Sequence, residues 1–302
     1  MPFVLPPLQE HLYELETMSL HAQVWGKDSP ITVVFEAGLG GFSLHWLKVA
    51  EALAKQVRVF VYDRAGYGFS TASPQPVSRT SHQLAQELHQ LLQLANVPPP
   101  YLIVGHSFGG FIARAFAARY SDEVAAVLLV DAVHEHEWSP RFPLSYRMAD
   151  RALVSVFAVL SKLSSWGLLA WLAPFLVGNS RKLPAAVRVL ASRLMLQAQS
   201  LDAVKRELAA MPESAMQAQA LSFPPVPLTV LGRGQTLRLF GLRLLPKKLE
   251  QRLRIQQRYL AKLSPLSRRR TVKSSQHDIH LEAPERVMLA VERLLEKVGL
   301  VS

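Results

Sequence analysis

The 302-residue chain contains no cysteine. That excludes disulfides, a thiolate nucleophile and any metal site built on sulfur, while leaving the compartment open. Acid is scarce: 23 Asp and Glu stand against 34 Lys and Arg, a formal net charge of +11. Repeats and low-complexity tracts are absent, and the ten histidines form no H-E-x-x-H or comparable ligand set. His134, Glu135, His136 and Glu137 lie close together, but in one run whose alternate side chains diverge. No metal and no cofactor is therefore expected. The opening residues, Met1-Pro2-Phe3-Val4-Leu5-Pro6-Pro7, lack a basic n-region and a continuous apolar h-region. A cleaved signal peptide is not expected, and a cytoplasmic location is. Long apolar runs are also few. The exception is Ala152–Val177, where Lys162 is the single charge and Phe157, Trp166, Trp171 and Phe175 supply aromatics. A membrane span needs about 20 apolar residues. Here Ser161-Lys162 and Ser164-Ser165 interrupt the run, Gly167 loosens it and Pro174 bends it. Two short packed helices are expected instead.

What is present carries chemistry in its order. Residues 103–110 read Ile103-Val104-Gly105-His106-Ser107-Phe108-Gly109-Gly110. The apolar run Tyr101–Val104 reads as a buried strand, and Phe111, Ala115 and Ala118 follow at helical spacing. A Gly-x-Ser-x-Gly sequence between strand and helix is a sharp elbow that exposes a serine hydroxyl. The Phe108 amide then lies at the helix start, where it can meet a developing oxyanion. An acid and a histidine should follow in that order. The strand-like run Val124–Val130 ends at Asp131, which reads either as the acid or as a strand-end turn residue. Near the C-terminus, Thr271-Val272-Lys273 leads into Ser274-Ser275-Gln276-His277-Asp278-Ile279-His280, before a helix opened by Pro284. His277 is the candidate general base, with His280 as the alternative.

At this level the chain resembles the α/β-hydrolase family over nearly its whole length. Val33-Val34-Phe35-Glu36-Ala37-Gly38-Leu39-Gly40-Gly41 is similar to that family's oxyanion loop after strand 3. Val61-Tyr62-Asp63-Arg64-Ala65-Gly66-Tyr67-Gly68-Phe69-Ser70 is similar to its loop after strand 4, and His277–Glu285 to the segment carrying its histidine. The resemblance implies Leu39 and Phe108 as oxyanion-hole donors. It also implies a mostly parallel eight-stranded α/β sheet with helices on both faces and a helical cap inserted after strand 6. Two departures stand out. Ala37 replaces the histidine common before the first oxyanion glycine. The seventh strand, Leu228–Leu231, ends in Gly232-Arg233-Gly234-Gln235, with no carboxylate before Glu250. The family's alternative acid position follows strand 6, where Asp131 falls, with Glu135 as understudy.

Residues 12–35 suggest two or three strands around a turn at Gly26–Pro30. Helices are expected at His45–Lys55 and at about Ser81–Leu94 with Ser81 as N-cap, and a strand at Val57–Tyr62. From 143 to 222 only helices are expected, broken at Gly178, Pro184 and Pro212. The domains expected are thus a core of 1–133 and 223–302, and a helical cap of 134–222. Charge is concentrated: Arg238–Lys273 holds 12 Lys and Arg with one acid, Glu250. Arg254, Arg258 and Lys262 beside Leu249, Leu253, Leu260 and Leu263 read as an amphipathic basic helix, followed by Arg268-Arg269-Arg270. This reads as a solvated face or as a peripheral contact with anionic membrane through Arg238–Lys273. Nucleic acid is not expected, because no module for it is present.

The expected activity is hydrolysis of carboxylic esters with a hydrophobic moiety through an acyl-enzyme, using Ser107, His277 and Asp131. Serine at the nucleophile position argues against the aspartate-using dehalogenase and epoxide-hydrolase branches of that family. Carbon–carbon, amide or lactone hydrolysis and perhydrolysis remain alternatives. A non-catalytic, membrane-associated or partner-binding role on the same fold is another.

Overall fold

The computed structural model describes residues 11–74, 79–139, 142–169, 182–239, 242–243 and 245–299. Met1–Pro7, Trp171, Pro174, Phe175 and Gly178, on which expectations rested, lie outside them. The chain opens with β1 (Leu12–Leu15), β2 (Met18–Trp25), β3 (Thr32–Glu36), α1 (Ser43–Leu53), β4 (Arg58–Tyr62) and α2 (Ser81–Leu94). It continues through β5 (Tyr101–His106), α3 (Gly109–Arg119) and β6 (Val124–Val130). The helices α4 (Leu144–Ser165), α5 (Ala185–Met195), α6 (Ala198–Ala209) and α7 (Met211–Ala220) come next, before β7 (Leu228–Arg233). A two-residue ribbon pairs β8 (Arg238–Leu239) with β9 (Leu242–Arg243). The end of the chain is α8 (Lys247–Leu260), β10 (Ser267–Val272), α9 (Ile279–Glu282) and α10 (Pro284–Lys297).

Eight strands form one sheet in the order β1-β2-β4-β3-β5-β6-β7-β10. β2 is antiparallel to both neighbours and every other pairing is parallel. Both faces are covered, which is why the central strands are apolar without alternation. Val34, Phe60, Ile103 and Val127 meet α2 and α3 on one side. Val33, Val59, Leu102 and Leu128 meet α1 and α10 on the other. The strand order reverses between β3 and β5, so the crevice beyond their carboxyl ends is where an α/β sheet offers a binding site.

Several boundaries differ from the sequence reading. The cap of α2 is Thr80, whose hydroxyl accepts from the Gln83 amide, not Ser81. β10 begins at Ser267 and Lys262 lies beyond α8. Pro184 and Pro212 mark breaks between helices, as expected, each standing at a helix start where a missing N–H costs nothing. The largest difference is α4, which runs unbroken through Ser161-Lys162 and Ser164-Ser165. The Ser161 hydroxyl donates to the Ala198 carbonyl at 2.9 Å and that of Ser164 to Leu196 at 2.5 Å. These serines tie α4 to the α5–α6 junction instead of interrupting it. The helix stops at Gly167, whose φ of +77° closes a Schellman turn: its amide donates to the Ser164 carbonyl and the Leu168 amide to Leu163.

Candidate active site

β5 ends at His106 and α3 begins at Gly109, so only two residues turn the chain from strand to helix. Ser107 takes the turn at φ +52°, a left-handed conformation that costs a non-glycine residue about 1–3 kcal/mol and persists where surrounding structure enforces it. Enforcement is visible: the Ser107 amide donates to Val130 and its carbonyl accepts from Val133. Glycine is required beside it. A Cβ on Gly109 would lie 2.6 Å from the Ala37 carbonyl oxygen, and one on Gly105 would lie 2.5 Å from that of Gly109. The same close approach sets the loop after β3 against the elbow. Phe108 is fully buried at the start of α3, and Leu39 is half-buried in that loop.

Asp131, directly after β6, is also left-handed at φ +41°. The loop after β10 brings His277 between it and the serine. His277 Nε2 lies 2.9 Å from Ser107 Oγ, and Nδ1 lies 2.6 Å from Asp131 Oδ2. With Nδ1–H donating to the carboxylate, Nε2 is left to accept the serine proton. His280 is placed elsewhere: it is buried, with its ring 4.5 Å from that of Trp46 and 4.3 Å from that of His106. Glu135 is held by Arg114 at 2.7 Å. The sequence alternatives are therefore apart from Ser107, and His277 and Asp131 are beside it.

Asp131 is buried yet charged. Burial alone would raise its carboxyl, but Arg233 opposes this and His277 adds to it, holding the group well below the usual carboxylate range. Arg233 donates from Nη1 to Oδ2 at 2.5 Å and from its amide to Oδ1 at 3.1 Å, and its Nη2 lies 3.5 Å from Glu250. Burial tends to lower His277, yet its bond to Asp131 and that charge raise it above its ordinary value of 6.5. His106 donates from Nε2 to the His277 carbonyl at 3.1 Å, and burial lowers its own pKa to about 4. The loop is pinned further by Glu282, which accepts from the Gln276 amide and the Ser275 hydroxyl. Lys182 bridges Glu282 to Asp278 at 2.6 and 3.0 Å.

A second charged cluster braces the loop after β3. Arg64 donates to the Ala37 and Gly38 carbonyls at 2.7 and 2.9 Å and to Glu36 at 2.5 Å. Its remaining donors reach both oxygens of Glu207 on α6 at 2.9 Å. Tyr67 and Arg79 also approach Glu207, and Tyr62 donates to Glu36, which burial pushes up to about 7. Where Ala37 departs from the histidine of the resembling family, an arginine from the next loop holds the same backbone. Sequence reasoning missed Arg64, Glu207, Lys182 and Arg233. For Arg233 a signal existed, because a lone cation stands where the carboxylate is missing after the seventh strand. Among the described residues no group of His, Asp and Glu could hold a metal ion.

The family profile described as "alpha/beta hydrolase fold" matches residues 31–231. A protein of Bacillus subtilis named "Uncharacterized protein YqjL" is 36% identical over 122 residues, covering 40% of this chain and 47% of that one. The chain spans less than half the length of the curated relatives it matches. Among solved structures, a thermophilic esterase from Thermogutta terrifontis shares 21% identity at a TM-score of 0.65, covering 93% of this chain and 94% of that one. An enol-lactonase from Burkholderia xenovorans shares 19% at 0.67, covering 94% and 99%. At these identities the two structures speak for the fold alone.

Proposed function

The chain belongs to the α/β-hydrolase family, and from that premise we propose that it is a serine hydrolase cleaving carboxylic esters through an acyl-enzyme. The observation that carries this reading is the unbroken hydrogen-bonded series from Ser107 Oγ through His277 to Asp131. Ser107 Oγ attacks the ester carbonyl while His277 Nε2 takes its proton, forming the tetrahedral oxyanion. The Leu39 and Phe108 amides receive that oxyanion, on a loop held by Arg64 and at the start of α3. Collapse expels the alcohol, which takes the proton from His277. Water, deprotonated by the same imidazole, then releases the acid and restores Ser107. Asp131 keeps Nδ1 protonated and stabilises the imidazolium throughout.

Residues 134–222 act in this reading as a helical cap over the serine. From it Glu207 holds Arg64, which in turn braces the loop after β3, and Lys182 reaches the loop carrying His277. The apolar composition of the cap favours substrates with a hydrophobic acyl or alcohol part. The test is fluorophosphonate labelling of the wild type beside Ser107→Ala and His277→Ala, with aryl esters of increasing acyl length. Labelling of the wild type alone is expected, with turnover of the esters. An unlabelled wild type contradicts the hydrolase reading, and a labelled Ser107→Ala contradicts the choice of nucleophile.

A further inference from the structure

Two surface features serve neither the sheet nor the site. The first is on α4. Ser161 and Ser164 anchor its inner side, where Val154 and Phe157 pack on the core. Leu144, Met148, Val156, Val159 and Trp166 are between 49% and 63% exposed. Their spacing of three, four, seven and eight lines them along one outward side of the helix. A helix side facing water ordinarily carries charge. This one carries five large apolar side chains with only Arg151, Ser155 and Lys162 among them, the Lys162 ammonium lying 5.4 Å from the Trp166 ring.

The second feature begins where α4 starts. Pro143 and Ser145 form one wall of a groove whose other wall is Lys248, Leu249, Arg252 and Ile255 of α8. Gln251 and Ile255 continue into a second groove with Arg254, Arg258 and Arg269. Thr271 then leads around β10 into a third, of about 1020 Å³. It is lined by Arg268, Arg270, Lys273, Arg286, Arg293 and Lys297 together with the apolar Leu266 and Leu289. Besides the buried Arg233, eleven basic side chains line these three grooves against one carboxylate, Glu296.

We propose that the protein docks on anionic lipid bilayers through this face, with the α4 stripe entering the headgroup boundary and the α8–β10–α10 flank lying against the phosphates. Continuity chooses among the occupants. A second copy meeting the same face would bring two sets of like charges together. Nucleic acid would satisfy the flank and leave the stripe in water. An anionic bilayer covers both, since apolar residues insert at its acyl boundary while Lys and Arg meet its surface charge. Ile255 and Tyr259, 43% and 42% exposed between the α8 cations, fit the same plane. Among the described residues no helix is long and apolar enough to cross a membrane, and the contact proposed is a peripheral one.

Co-sedimentation with phosphatidylcholine vesicles, with and without phosphatidylglycerol, tests this at low and high salt. Three proteins are compared: the wild type, Val156→Asp/Val159→Asp and Arg268→Glu/Arg270→Glu. The wild type should bind the anionic vesicles, lose affinity as salt rises, and bind neutral ones weakly. Each double variant should bind at least about tenfold less tightly. Circular dichroism and sedimentation velocity establish that the variants fold and that the wild type is not paired through α4. Equal binding to both vesicle types or none contradicts the proposal. So does a wild-type dimer abolished by Val156→Asp/Val159→Asp, or binding to duplex DNA without binding to vesicles. Ser107 labelling should be unchanged in Arg268→Glu/Arg270→Glu, whose residues stand exposed on the edge strand β10. A wild type that binds vesicles but takes no label would leave the docking standing and remove the hydrolase.

Discussion

The arginines of this chain live in two environments. Arg233 and Arg64 are buried and spoken for: one grips Asp131 and nears Glu250, the other distributes its donors over two carboxylates and two carbonyls. Arg268, Arg269 and Arg270 stand exposed on an edge strand and make no ion pair among the described residues. A desolvated guanidinium is tolerated only with matched partners, and the match then fixes whatever it holds. An exposed one is free to meet a partner outside the chain. It also deters edge pairing of β10 with another sheet. Charge inside therefore sets geometry, and charge outside is left in reach of other molecules.

That contrast can be broken at named residues. Asp131→Asn should have the largest effect, lowering ester turnover by about 10⁴-fold with the fold retained, because an amide can neither fix the Nδ1–H tautomer nor stabilise the imidazolium. Arg233→Met leaves Asp131 buried without its cation and should destabilise by about 3–5 kcal/mol in urea unfolding. The matching exposed change, Arg269→Met, should stay within about 0.5 kcal/mol. If the two arginines cost the same, the distinction between them is wrong. Glu207→Gln removes the charged acceptor behind Arg64 and should cost about 2 kcal/mol. It should also slow labelling of Ser107, because the loop carrying Leu39 loses its brace. Ser161→Ala should cost only about 1 kcal/mol, since it deletes a single neutral hydrogen bond between α4 and Ala198.

What the sequence disclosed follows from how local each requirement is. The elbow is spelled out in adjacent residues because a strained turn and a close helix–strand approach demand glycine at fixed positions. Asp131 became legible through an absence, the missing carboxylate after Leu231. Arg233 was passed over because its role exists only when β6 and β7 lie side by side, 102 residues apart in the chain. The break in the run Ala152–Val177 falls at Gly167 and not at the serines for the same reason. Ser161 and Ser164 look like interruptions until their acceptors, 37 and 32 residues later, are in place. Glu207 and Lys182 carry no local signature, and only the folded chain brings them to Arg64 and Asp278.

The central claim is that His277, its proton affinity raised by Asp131, is the base for Ser107. The pH profile of fluorophosphonate labelling of Ser107 tests it most directly. Nε2 must be neutral to accept a proton, so labelling should fall as pH drops through the His277 pKa, with a midpoint above the ordinary 6.5. In Asp131→Asn the residual rate should titrate at lower pH, because the charge favouring the imidazolium is gone. A flat profile, or a midpoint that Asp131→Asn leaves in place, would contradict the account.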